Sequence, residues 1–336
     1  MNSSNILSIT TFVYGLAGFC YIYAWIFKKP AVGKAGTWVA ILGLAGNIAG
    51  IALRWVESYQ LGIGHAPLSN LYESLIFFAG TIIVIYLFIE RKYQNRVIGA
   101  FTAPIACLVM AYASLNPGIP SAIQPLIPAL KSNWLIAHVI ACFIGYAAFA
   151  LAFGVSAMYL MKKGRDAEPI IWVEIVKPLT LFVFATLFSR VLFVHSWVSA
   201  VIVAIPICLV FYGIVFLARK LPAESKAKLL DRFPDPRILD DLGYQLILLG
   251  FLFLSVGIIT GAVWAHSAWG RYWGWDPKET WSLITWFVYA TLLHARMTRG
   301  WHGKRIAFLS MFGFAAVLFT YFGVNLLPGL HSYGSF

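Results

Sequence analysis

The sequence predicts an all-α integral membrane protein. It would be a polytopic bundle of about 8–10 transmembrane helices, with both termini outside and a tryptophan-rich loop on the outer face. Three observations carry this. Hydrophobic residues fill 60% of the 336 positions and charged residues only 11%, against about 25% charged in soluble chains; mean hydropathy is +0.79. Apolar runs of about 20 residues, enough to cross a bilayer as a helix, recur along the whole length. The joins between them alternate in charge. Together these exclude a water-soluble enzyme and a disordered chain.

Taken in order, the first run is 5–27. No Lys or Arg precedes it, which predicts a retained span and not a cleaved leader. It is followed by Lys28, Lys29 and Lys34, and the next run, 36–56, carries Arg54 near its far end. Run 71–89 returns to Arg91, Lys92 and Arg96, and run 97–115 leads out to a join holding Lys131 alone. Run 134–161 comes back to Lys162, Lys163, Arg165 and Lys177. The stretch 179–217, with Arg190 inside it, reads as two spans, 179–197 and 200–217, around a tight outer turn near His195, or as a re-entrant hairpin. Basic residues at both of its ends demand an even number of crossings. A hydrophilic cytoplasmic join, 219–241, holds six basic residues, and run 242–264 leads to an outer loop, 265–280, with Arg271 and Lys278. Run 281–295 returns to Arg296, Arg299, Lys304 and Arg305, and run 306–327 crosses out again. Of the 25 basic residues, 20 lie in one set of joins and four in the other. By the positive-inside rule the rich set faces the cytoplasm. The net charge of +12 is therefore a topology signal and implies no nucleic-acid partner. The chain reads as a single polytopic membrane domain, 1–336.

Four cysteines, Cys20, Cys107, Cys142 and Cys208, stand singly in apolar runs with no CxxC pair, and read as small buried residues. Chemistry concentrates in the outer loop. Six of the 13 tryptophans, at 264, 269, 273, 275, 281 and 286, fall within one short stretch together with Gly270, Gly274 and the turn Asp276-Pro277-Lys278-Glu279. An interfacial aromatic belt explains one or two Trp per helix end, but not this density. A wall of indoles, with glycines allowing close approach, suits a large planar apolar ligand, and Trp269 and Trp273 would share a face if the stretch is helical. His138, one turn inside the fifth span, and His331, after the last, reach the same side. That makes bis-imidazole ligation of a haem iron a coherent reading. His294 lies 13 residues past Trp281, about 20 Å along a helix, so it belongs to a different depth and would share a haem with a histidine of another chain. In the segment Gly64-His65-Ala-Pro-Leu-Ser69-Asn70-Leu-Tyr-Glu73-Ser, Ser69 reads as a helix cap with Glu73 in the first turn. His266 reads as a supporting or wet surface residue.

The stretch Trp269-Gly-Arg-Tyr-Trp273-Gly-Trp275-Asp276-Pro-Lys-Glu-Thr-Trp281 resembles the WWD signature of haem-handling proteins in cytochrome c biogenesis. The segment from Gly64 to Ser74, Leu293-His294-Ala-Arg296 and Gly329-Leu-His331-Ser-Tyr333-Gly resemble the CcsA (ResC) branch, from about residue 36 to the C-terminus; His266 and Ser267 stand where the pattern has Asn and Glu. The resemblance implies His138 and His331 as outer haem-iron ligands, and His294 as a transmembrane ligand. Trp269, Trp273, Trp275 and Asp276 would form the catalytic loop against the porphyrin face, with Asp276 and Lys278 orienting the loop or the propionates, and Trp264 and Trp281 would help to bind the haem. It further implies haem b as transported substrate. The activity implied is thioether formation between haem vinyl groups and the CXXCH thiols of apocytochrome c, as a holocytochrome c synthase acting with a ResB-type membrane subunit. Thioredoxin-like apocytochrome reductants would be further partners, and the membrane would be bacterial cytoplasmic or thylakoid. A shorter CcmC-type haem-delivery protein shares the motif. A b-type cytochrome subunit or a secondary transporter is the alternative from another class.

Overall fold

The computed structural model describes residues 2–163, 222–327 and 329, with isolated positions between 185 and 220. Apart from those isolated positions, the expected pair of spans within 179–217, with Arg190 and His195, falls outside the described residues, as does His331. The helices are α1 (Ser3–Phe27), α2 (Pro30–Gln60), α3 (Leu71–Tyr93), α4 (Gly99–Leu115), α5 (Asn133–Lys163), α6 (Ala223–Leu230), α7 (Pro236–Trp269), α8 (Pro277–Arg299) and α9 (Lys304–Tyr321). Seven of them, α1–α5, α7 and α9, are long and apolar enough to cross a membrane, α4 with the 3-10 turn before it. α8, with 23 residues, is about 34 Å long and runs between the Trp-rich end and the basic end of the bundle.

Each boundary has a local cause. Asn2 accepts the amide of Asn5 to start α1, and Lys28 closes it in the left-handed region at φ 54°. Pro30 opens α2 and Pro236 opens α7 at first-turn positions, where a missing N–H costs nothing. α3 is capped by Asn70, whose side chain accepts the Glu73 amide at 2.9 Å, and not by Ser69. Ser69 instead donates its amide and hydroxyl to Glu73 Oε2, at 2.9 and 2.8 Å. The last span stops at Tyr321, and the expected 322–327 continuation is a 3-10 turn, Gly323–Leu326. The basic join 219–241 carries α6, whose Leu229 carbonyl accepts the Trp25 indole.

α1, α2, α3 and α4 pack as one group, α5, α7, α8 and α9 as another, and α3 against α5 joins them. α5 and α7 form the most extensive contact. Tyr14, Tyr21, Tyr72, Tyr86, Tyr289 and Phe149 are fully buried at the centre, while Phe12, Trp38, Phe88 and Leu108 stand out from the bundle, about 70% exposed or more. Large apolar side chains facing outward around a polar-bearing core are the arrangement a lipid surround favours. The buried charges are paired: Arg54 with Glu73 at 2.8 Å, and Arg296 with Asp240 at 2.8 Å.

Candidate functional site

The Trp-rich segment is shorter as a loop than its sequence suggests. α7 runs through Trp264 and His266 to Trp269, and stops at Gly270, φ 74°. α8 starts at Pro277 with Asp276 as cap: the Asp276 side chain accepts the Lys278 amide at 3.0 Å, and Glu279 reaches back to the Asp276 amide at 3.1 Å and the Gly274 amide at 2.7 Å. This reciprocal capping box pins residues 274–279. Because the helix ends at Trp269, Trp269 and Trp273 do not share a helical face. Trp275 takes the left-handed conformation at φ 57°, which costs a non-glycine residue about 1–2 kcal/mol, and its ring is 70% exposed.

Between this segment and the near ends of α5, α7 and α9 lies a cavity of about 470 Å³, within the roughly 300–1,000 Å³ of cofactor and small-molecule sites. His138, Cys142, Tyr146, Trp264, Trp273 and Lys278 are among the residues that line it. Segment 116–132, irregular apart from one 3-10 turn, covers it with Gln124, Pro125, Leu126, Ile127 and Leu130. Three side chains pin this cover through backbone oxygens. Arg54 donates to Ser121 O at 2.8 Å, a His65 ring nitrogen lies 3.0 Å from Gln124 O, and the Trp264 indole donates to Ala129 O at 2.8 Å. At the cavity wall, the hydroxyls of Tyr321 and Ser74 lie 2.6 Å apart, tying α9 to α3.

His138 is oriented by α7. Its Nδ1 lies 2.7 Å from Gly257 O. A carbonyl oxygen only accepts, so Nδ1 carries the proton and Nε2 of the neutral ring keeps its lone pair. The ring stacks on Trp264, centroids 6.3 Å apart at 17°, and Cys142 Sγ approaches Nδ1 to 3.7 Å. An imidazole held through one nitrogen, with the other available as a donor to iron, is how metal-binding histidines are usually set.

The six tryptophans do not form one wall. Trp264 and Trp273 line the cavity; Trp269 stands edge-on against Trp264 at 4.8 Å, and Trp273 edge-on against Trp275 at 5.9 Å. Trp281 packs on Phe319 at 4.2 Å, and Trp286 donates to Ser255 Oγ at 2.8 Å. His266 stacks on Tyr272 at 4.3 Å. His294 is exposed on α8, towards the opposite end from the cavity, on a stripe with Ile284, Phe287 and Thr291. His331 itself is outside the described residues, but Gly329 lies against Asp276 and Pro277, where an added methyl would come within 2.6 Å of Asp276 Oδ2. Sequence reasoning took Cys142 only as a small buried residue, and passed over Gly257, Gly261 and the cover 116–132. The signal present for Gly257 was a glycine spacing, 243, 250 and 257.

The fold is thus that of a multi-span membrane protein, with an oriented histidine and two indoles gathered at one cavity. The comparisons agree in kind. A family described as "Cytochrome C assembly protein" matches residues 68–331. The chain is 38% identical over 332 residues to "Cytochrome c biogenesis protein CcsA" of Gloeobacter violaceus, spanning 98% of this chain and 93% of that one. It is 39% identical over 337 residues to the protein of the same name from Pyropia yezoensis, 97% of each. For that of Heterosigma akashiwo the figures are 43% over 272 residues, 80% of this chain and 76% of that one. The chain belongs to the cytochrome c assembly family, in its CcsA branch.

Proposed function

We propose that this chain carries haem to the outer face of the membrane and, with a ResB-type subunit, attaches it to the CXXCH segment of apocytochrome c. The observation that carries the reading is His138, its Nδ1 held by Gly257 O at 2.7 Å at the wall of a 470 Å³ cavity beside the Trp-rich segment. Haem is the cargo, and the lining suits it. Trp264 and Trp273 offer apolar faces, Nε2 of His138 offers an iron ligand, and Lys278 supplies positive charge for haem carboxylates. His331 would be the second axial ligand, and the return of the chain to Asp276 at Gly329 supports that. Trp269, Trp275 and Trp281 would act behind the first layer, by backing Trp264, edging Trp273 and bracing α8.

The reaction is addition of a thiol across a vinyl group. A C–S bond forms, the thiol proton goes to the neighbouring carbon and the C=C π bond is lost, so the step needs no oxidant. The chain need supply no nucleophile, because the substrate brings both thiols. Its contribution is holding the porphyrin where the thiols reach it, and positioning of this kind lowers barriers by several kcal/mol. His294, exposed near the other end of α8, would ligate haem on its way in, together with a histidine of the partner. The exposed side chains above it, Phe287 at 56% and Ile284 at 39%, give a partner helix an apolar stripe.

The test is conversion of an apocytochrome to its covalent haem form in cells producing this chain with a ResB-type subunit. His138→Ala and His294→Ala are each expected to reduce covalent haem by more than tenfold, at unchanged protein level. Wild-type conversion by His138→Ala would refute the assignment.

A further inference from the structure

Glycines 243, 250 and 257 of α7 repeat every seven residues, with Gly261 one turn beyond. All four face α5. Gly243 lies against Val155, Gly250 against Phe149, Gly257 against Cys142 and Gly261 against His138. The approach at Gly250 is close enough that a methyl built on Gly145 of α5 would fall 3.0 Å from Gly250 O. Small residues let two helix backbones come together in this way. At the cavity end the closeness has a second consequence. A methyl on Gly261 would fall 2.6 Å from His138 Nδ1 and 2.8 Å from Cε1, and one on Gly257 would fall 2.6 Å from Cys142 Sγ. The imidazole thus occupies the space left by the absent side chain at 261, and in that position Nδ1 meets Gly257 O at 2.7 Å.

We infer that Gly257 and Gly261 are positioning residues for the haem iron: the carbonyl of one and the missing side chain of the other fix the tautomer and tilt of His138, so that Nε2 is presented to the metal. This rests on the proposed role of His138 as an axial ligand. Gly243 and Gly250 serve packing alone, and so provide the control.

The experiment records the visible spectrum of the reduced, purified chain with its partner, for wild type, His138→Ala, Gly261→Ala and Gly250→Ala. Gly261→Ala is expected to lose the low-spin haem bands to a degree comparable with His138→Ala, and to regain them on adding imidazole, while Gly250→Ala keeps them. Wild-type bands in Gly261→Ala, with His138→Ala deficient, would overturn the inference, and so would equal losses in Gly261→Ala and Gly250→Ala. Wild-type bands in His138→Ala would instead remove the ligand assignment beneath it. If Gly261→Ala fails to accumulate, the double variant His138→Ala/Gly261→Ala decides. Recovery to the level of His138→Ala shows that the ring is what residue 261 must clear, and no recovery overturns the inference.

Discussion

Glu90, 4% exposed near the end of α3, accepts from three hydroxyls and pairs with one arginine. The hydroxyls are those of Tyr21 on α1 at 2.9 Å, Thr37 on α2 at 2.5 Å and Tyr86 on α3 itself at 2.7 Å, and Arg96, whose Nε donates to Thr37, lies 3.0 Å from the carboxylate. An amide in its place would turn two donors toward donors, and an unsatisfied buried polar group costs about 1–3 kcal/mol, more beside a charge. Glu90→Gln is therefore expected to lower the melting temperature in detergent by several degrees, with the haem spectrum of the surviving protein unchanged. Asp276 separates capping from chemistry. Asn caps a helix nearly as well as Asp, whereas Ala costs about 0.5–2 kcal/mol. Asp276→Asn is expected to convert apocytochrome near normally and Asp276→Ala to be less stable; equal loss of conversion in both, at wild-type stability, would give the carboxylate a direct role. Residue identity made Asp276, Trp273 and His138 visible in the sequence, because polar or aromatic groups at a membrane edge need a reason. It misassigned the α3 cap. Ser69 and Asn70 are both good capping residues, and the choice between them depends on Glu73 being already committed to the buried Arg54.

Segment 116–132 has no apolar period, and four prolines interrupt it, so its sequence showed a join and nothing of its place over the cavity. Its three anchors are side chains meeting backbone carbonyls 67, 59 and 135 positions away, and a carbonyl carries no residue-type signal. Trp264→Phe keeps a ring against His138 and removes only the donor to Ala129 O. The expected result is faster amide hydrogen exchange across 121–130, with α5 and α7 unchanged; unaltered exchange would show that the indole N–H does not hold the cover. The long elements were legible. Every described span lies within a few residues of its apolar run, and the differences come at ends where capping and not hydropathy sets the boundary. α7 reaches Trp269 because Gly270 takes φ 74°, and this draws Trp264, His266 and Trp269 into a helix. The expected flat array of indoles failed for that reason: a helix sends its side chains around an axis, and only Trp264 faces the cavity from it.

At the scale of the molecule, the alternation of basic joins supports placing the Trp-rich end outside, with the loop 300–303 in the cytoplasm. In a background lacking the four native cysteines, Trp275→Cys is expected to react with an impermeant maleimide added to intact cells, and His302→Cys only after lysis; the reverse pattern would invert the topology. Exposed apolar surface around the described bundle, with His294 set within it, suits a lipid surround, and under the proposed function it is also where the partner subunit would dock. The site at the other end depends on four helices meeting: α5 supplies His138, α7 its orienting carbonyl and Trp264, α8 the capped Trp-rich turn, and α9 the return of the chain toward Asp276. The most direct measurement is the electron paramagnetic resonance spectrum of the oxidised protein purified with its partner, compared between wild type and His138→Ala. A low-spin signal of two axial imidazoles in wild type, converted in His138→Ala to a high-spin signal that added imidazole reverses, is the expected result. An identical low-spin signal in both proteins would contradict a haem held by His138 in this cavity.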